Sequence, residues 1–351
     1  MQFMTPPQLP VLDISNIAAG ENGRVAIDSV SGNMYFDNGT AWINLALNSQ
    51  IAPLQAAITA LNNPESAIFG GGSPEAISFL STTSLYTYSY NTSVKGSNLN
   101  SATVYSACSS TGTAALFMGG SPDGSTYIST SSEYTYSSNA VKAGGSLSAG
   151  IYSMAAAGNT TVGVFAGGYS TAAVSTTSVY TYSTNAVSVG GALSYTAYGL
   201  AGAGNATEAV FGGGYNATYL STSSLYTYST NTAIATGNMS YSSLLLAAAS
   251  ISTVALFTAG NSGGTPVSTT SLYTYSSGTY AAASNIAYAA QAVAGTGNAT
   301  TGVFGGGIVA PMAMFSTSIY DYSTGTAIYG CDLANGGFGM AAGSPNVGIN
   351  A

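Results

Sequence analysis

"STTSLYTYSYNT" (Ser81–Thr92) is a phrase that the chain repeats five more times with small changes. It returns as "STSSEYTYSSNA" from Ser129, "STTSVYTYSTNA" from Ser175, "STSSLYTYSTNT" from Ser221, "STTSLYTYSSGT" from Ser268 and "STSIYDYSTGT" from Ser316. A strand's two-residue period puts Tyr226 and Tyr228 on one face and Leu225 and Thr227 on the other. Bulky groups on one face and Leu/Thr on the other suit a sheet covered on both sides.

Working outward, each cassette follows an apolar segment that ends in Phe and small residues, mostly glycine. The anchors are Phe69, Phe117, Phe165, Phe211, Phe257 and Phe304, at successive spacings of 48, 48, 46, 46 and 47. Thirteen positions after each cassette's first Tyr stands Leu99, Leu147, Leu193, Met239, Ile286 or Leu333. From that residue to the next Phe the step is always 18, whereas Phe to Tyr varies from 15 to 17. Length variation is therefore confined to one loop per repeat.

Within a repeat, "YGLAGAGN" (198–205), "EAVFGGG" (208–214), "SSLYTYS" (223–229) and "TAIATG" (232–237) are strand-length segments parted by turn residues. The glycines after Phe permit dihedrals closed to other residues. Four antiparallel strands recurring at this period are the signature of a β-propeller blade. The predicted fold is all-β, with six four-stranded blades over 66–351. The cassette becomes the third strand of each blade, its tyrosines packing on the neighbouring blade.

The double glycine after an apolar strand, followed by a Y-x-Y strand, resembles the kelch repeat. That resemblance implies a six-bladed kelch-like propeller. The chain departs from it in the last strand, where kelch repeats usually carry Trp, so nothing about partners carries over. Two segments compete to complete blade one: "LQAAITALNNPESAIF" (54–69) and the C-terminal "GFGMAAGSPNVGINA" (337–351). Closure is expected from the C-terminal strand around Met340.

Residues 1–50 stand outside the repeat. "GRVAIDSVSGNMYFDNGTAWINL" (23–45) alternates apolar and polar residues across two turns and reads as a small β-meander with Trp42 in its core. Its strand, turn and closing Trp resemble segments of bacteriophage tail-fibre and other virion-surface proteins. In the 51–65 linker, Ile51, Leu54, Ile58 and Leu61 form a short heptad seam, which predicts a helical stalk and a homotrimer. A capping helix or first-blade strand fits the same residues.

Composition bounds function. Three basic residues against 11 acidic ones, with no His, leave no patch to neutralise phosphates, so no nucleic-acid partner is expected. No apolar run is long enough to span a membrane and no signal peptide is legible, so membrane insertion and ordinary secretion are not expected. Without His, imidazole-based nucleophile systems and metal sites are excluded. The propeller's carboxylates do not recur at one repeat position, so no enzyme and no cofactor are expected. Cys108 and Cys331 are expected as free thiols. Seven N-x-S/T sequons are no more than this Asn-, Ser- and Thr-rich composition produces by chance.

The resulting expectation is a virion-surface structural protein of tail-fibre or spike type. Residues 1–50 would join other virion proteins, and the propeller would bind a host-surface receptor, by preference a neutral glycan. A purely structural head-decoration or fibre-shaft protein, or a cellular adhesin or surface-layer component, fits the same composition. The variable loops emerge on one face with the inter-blade links, and they carry the candidate ligand residues Phe79, Tyr127, Tyr169, Tyr215 and Tyr219. Lids over the blade edges are the competing role for those rings.

Overall fold

The computed structural model describes residues 11–12, 25–28, 34–37, 40–45, 66–75 and 78–345. The chain divides into two units, Met1–Thr59 and Ala60–Ala351. In the first, Val25–Asp28, Met34–Asp37 and Trp42–Leu45 form the expected antiparallel meander, and Val11–Leu12 adds a parallel edge strand that the sequence did not announce. Trp42 is half-buried. The proposed stalk residues Ile51, Leu54, Ile58 and Leu61 lie outside the described residues.

The second unit is a six-bladed propeller of four-stranded antiparallel sheets. Blade 4 is representative: Ala201–Gly204, Glu208–Gly212, Ser223–Thr227 and Thr232–Ala235 pair in order. Blades 2, 3, 5 and 6 repeat that order, beginning at Ala107, Ala155, Ala247 and Ala294. Blade 1 takes its first strand from the C-terminal end: Ala341–Gly343 pairs with Ser66–Gly70, Ala341 opposite Gly70. The ring thus closes as expected, through hydrogen bonds between residues more than two hundred positions apart. Ser344 donates its N–H to Ser110 Oγ (3.0 Å), and Asn335 donates its N–H to Ser84 Oγ (2.7 Å).

The six first strands, such as "AAAG" (155–158) and "AGAG" (201–204), touch one another around the axis. Small side chains suit that crowding. A Cβ added at Gly202 would stand 2.8 Å from Ala156 O of the neighbouring blade.

Six clusters, one between each pair of blades, make up the hydrophobic core. Each joins the Phe and first Tyr of one blade to aliphatic residues of the preceding one. Phe211 and Tyr226 of blade 4, for instance, pack on Val164 and Leu193 of blade 3. All six Phe and all six first tyrosines are at most 3% exposed, so they carry most of the inter-blade adhesion. Losing one such ring costs about 3–5 kcal/mol.

The hydroxyls of those tyrosines find a partner that the sequence reading did not name. Tyr86, Tyr134 and Tyr180 donate to Oδ1 of Asn91, Asn139 and Asn185, five residues on, at 3.0, 2.7 and 2.6 Å, and Tyr226 does the same to Asn231. Each Asn sits at positive φ (47–55°) in the hairpin turn to the fourth strand; Gly278 and Gly325 take that place in blades 5 and 6. The same Oδ1 accepts an N–H from the preceding blade. Ser97 donates to Asn139 (2.9 Å), and Cys331 donates to Asn91 across the closing seam (2.8 Å).

Asn91 is one of the seven sequons, and three more of them also have a structural job. Asn159, Asn205 and Asn298 fill the turn between first and second strands, where Oδ1 accepts N–H groups two and three residues on at 2.8–3.0 Å.

Candidate binding face

The loops between second and third strands share one face of the propeller with the links between blades. Six isolated bridges fix this: Ser73–Phe338, Val104–Ser121, Tyr152–Tyr169, Tyr198–Tyr215, Leu244–Asn261 and Gln291–Ile308. Each joins a link residue to the residue just past the paired small residues of the same blade. Those paired residues, Gly71–Gly72 through Gly306–Gly307, all have positive φ, and Ala259 replaces the first of them in blade 5. The turn they make throws the variable loop outward. In blades 4, 5 and 6 the loop is itself a small hairpin, 215–219, 261–266 and 308–313.

Directly after each link bridge comes a residue in the left-handed region: Tyr105, Ser153, Gly199, Leu245, Ala292 and Gly339, with φ of 56–64°. Their backbones close a circle. Tyr105 N–H donates to Gly339 O (2.7 Å), Ser153 to Tyr105 (2.9 Å), Gly199 to Ser153 (2.8 Å), Leu245 to Gly199 (2.7 Å), Ala292 to Leu245 (2.8 Å), and Gly339 back to Ala292 (3.0 Å). This six-membered collar surrounds the axis and lines a cavity of about 70 Å³ with the residue after each of its members. Five of those six following residues are apolar (Met154, Leu200, Leu246, Val293 and Met340), and the sixth is Ser106. Ser106 is 7% exposed, and its buried Oγ has no hydrogen-bond partner among the described residues.

Farther along the axis, a second cavity of about 40 Å³ is lined by Ala, Gly and Ser of all six first strands together with Cys108 and Thr296. Burial pushes the Cys108 thiol well above its ordinary value, so it stays protonated. Cys108 and Cys331 are both free.

Four of the five predicted ligand residues come together on this face. Tyr127 stacks on Tyr152 (4.4 Å between centroids, 21° between planes) and meets Tyr169 edge-on at 6.2 Å. Tyr215 contacts Tyr219 at 5.4 Å. The links supply what joins them: Tyr152 contacts Tyr169 (5.6 Å), Tyr169 contacts Tyr198 (5.4 Å), and Tyr198 contacts Tyr215 (5.7 Å). At the other end Tyr105 bridges Phe338 and Tyr152, both at 6.3 Å. The result is an unbroken arc of half-buried rings from the blade 6–1 link to blade 4. Phe79 makes no ring contact in this arc; it is half-buried with its ring over Gly124 of the next loop.

Tyr105, Tyr152, Tyr198 and Phe338 escape a reading that looks only where loop length varies, because the links are of constant length. Their signal is composition at a fixed repeat position, which reads Val104, Tyr152, Tyr198, Leu244, Gln291, Phe338 around the ring. Burial, reinforced by the adjoining Tyr127, raises the Tyr152 phenol from 10.0 to about 12, and burial raises Tyr105 and Tyr198 as well. These phenols are hydrogen-bonding groups at neutral pH, not charges.

The charge on the face has one sign. Glu75, Asp123 and Asp332 are exposed in its loops and links, which contain no Lys or Arg. Lys95 and Lys142 sit instead in outermost strands, Lys142 paired with Glu133 at 3.1 Å. Beyond the arc, Asn261 donates to Gln291 Oε1 (2.7 Å), so blades 5 and 6 present an amide pair with Leu244 and Ile308 where blades 3 and 4 present paired tyrosines.

No family model and no curated protein matches this chain. Among solved structures it resembles that of YjhT, with a TM-score of 0.58 and 9% identity over 69% of this chain and 87% of that one. At that identity the likeness carries the fold and nothing further.

Proposed function

We propose that the protein is a virion-surface structural protein of tail-fibre or spike type, and that its propeller binds a neutral host-surface glycan through the loop-and-link face. The observation that carries this reading is the aromatic arc on the face where loop length varies. Aromatic rings offer apolar faces to the C–H side of a sugar, while phenols and amides bond its hydroxyls. The kelch-like double-glycine and Y-x-Y pattern supports a scaffold role, and the tail-fibre-like stretch at 23–45 supports attachment to other virion proteins through the N-terminal unit. The seam Ile51, Leu54, Ile58 and Leu61 supports a homotrimer.

The test replaces Tyr127, Tyr169, Tyr215 and Tyr219 together with Ser and compares the full chain with the variant on a glycan array, with melting recorded for both. Wild-type binding that the folded variant loses is expected. A wild-type protein that binds no glycan would favour the purely structural head-decoration or shaft role. Immunogold labelling of purified particles tests the virion assignment independently: unlabelled particles would remove it.

A further inference from the structure

We infer that the ligand is an extended neutral saccharide chain laid along the aromatic arc of blades 1–4, several units long, rather than a single terminal sugar held at the axis. This rests on the glycan reading above and sharpens it.

The first observation is length. Phe338, Tyr105, Tyr152, Tyr169, Tyr198, Tyr215 and Tyr219 follow one another in steps of 5.4–6.3 Å without a gap. Each step is comparable to one hexose unit. A pocket for one sugar needs one or two rings; seven in edge-on or tilted succession make a track.

The second observation is that the arc breaks the symmetry of the fold. The link position that holds Tyr152, Tyr198 and Phe338 holds Leu244 and Gln291 in blades 5 and 6, and the position of Tyr169 and Tyr215 holds Asn261 and Ile308. Those blades close the same bridges and the same collar without aromatics, so the fold does not require the rings. The Asn261–Gln291 amide pair spans the gap between the arc's two ends.

The third observation concerns the axis. The collar cavity of about 70 Å³ is too small for a pyranose ring, and of the six residues beneath the collar only Ser106 carries a hydroxyl. It accommodates water or a hydroxymethyl group, not a sugar. Electrostatics sets the last constraint. Three exposed carboxylates and no cation on the face oppose uronic, sialylated or sulfated chains and leave neutral ones.

The experiment titrates the full chain with neutral gluco- and galacto-oligosaccharides from monosaccharide to octasaccharide, and with oligogalacturonate as the acidic counterpart. Affinity is expected to rise with length in at least one neutral series, and oligogalacturonate is expected not to bind. Tyr152→Leu and Tyr198→Leu should each weaken the longest ligand about tenfold, the loss of one favourable aromatic contact, and Tyr329→Ser, off the arc, should not. Melting curves separate lost binding from lost folding, and where one variant melts early the other carries the test. A monosaccharide that binds as tightly as the octasaccharide would overturn the track while leaving glycan binding intact. Equal binding of oligogalacturonate would overturn the neutral assignment. Silence with every saccharide would remove the glycan reading itself.

Discussion

The paired small residues after each Phe offer a matched experiment within one molecule. Gly119 has φ of +68°, and a Cβ there would stand 2.5 Å from the carbonyl oxygen of Ile151 and 2.6 Å from Met154 Cε. Met154 can swing away. Ile151 O cannot move freely, because it accepts the N–H of Gly120 at 2.9 Å. In Gly119→Ala the left-handed backbone costs about 1–2 kcal/mol and the clash about 1–3 kcal/mol. Lower entropy of the unfolded chain returns about 0.4–1 kcal/mol. The net loss is about 2–4 kcal/mol, or roughly 3–7 °C in melting temperature for a domain of this size. Blade 5 supplies the control. Ala259 occupies the same place at φ 63°, fully buried, so that blade already makes room for the methyl group. Ala259→Gly relieves the backbone term and loses a comparable entropy term, and should melt within about 1 kcal/mol of wild type. Denaturant unfolding of both variants with matched m-values is the assay. If Gly119→Ala unfolds within about 0.5 kcal/mol of wild type, the conformational reasoning about these positions is wrong.

Other expectations concern the tyrosines and the seam. Tyr134→Phe loses the bond to Asn139 and should cost about 1 kcal/mol. Tyr228 is half-buried, its hydroxyl buried with no hydrogen-bond partner among the described residues, so Tyr228→Phe should be neutral or stabilising by denaturant melt. A chain ending at Asp332 loses the strand Ala341–Gly343 and should lose cooperative unfolding; an unchanged melt would refute closure by that strand. Half-buried Tyr152 titrates above its ordinary value of 10.0, at about 12, chiefly because burial disfavours the phenolate. The unfolded state sheds that proton first, so the stability it contributes is full below about pH 10 and is lost as pH rises toward 12. A Tyr152→Phe variant whose stability falls between pH 10 and 12 as steeply as the wild type's would contradict that order.

What the sequence by itself determined is the repeat. The constant step of 18 from each Leu99-type residue to the next Phe, the invariant Phe–Tyr pair and the single variable interval dictate six equal blades and one diversified face. They do so because each blade must bury the same rings against the next. Part of the turn chemistry was legible for the same reason: the glycines after each Phe stand where the backbone needs positive φ. The closing strand was legible as the expected one of two candidates. Residues 54–69 and 337–351 are equally strand-like, and only pairing across the whole chain chooses between them. The collar was not legible at all. Tyr105, Ser153, Leu245 and Ala292 have side chains that disfavour the left-handed region, and they adopt it because a carbonyl of the preceding blade waits for each N–H. The arc needed tertiary structure too. Tyr152 is 17 residues from Tyr169 and 46 from Tyr198 in the chain, and the three become neighbours only when the links curl over the blade tops. A local pattern can specify a strand and its facing, but which rings meet at the axis depends on how six copies of that strand close on themselves.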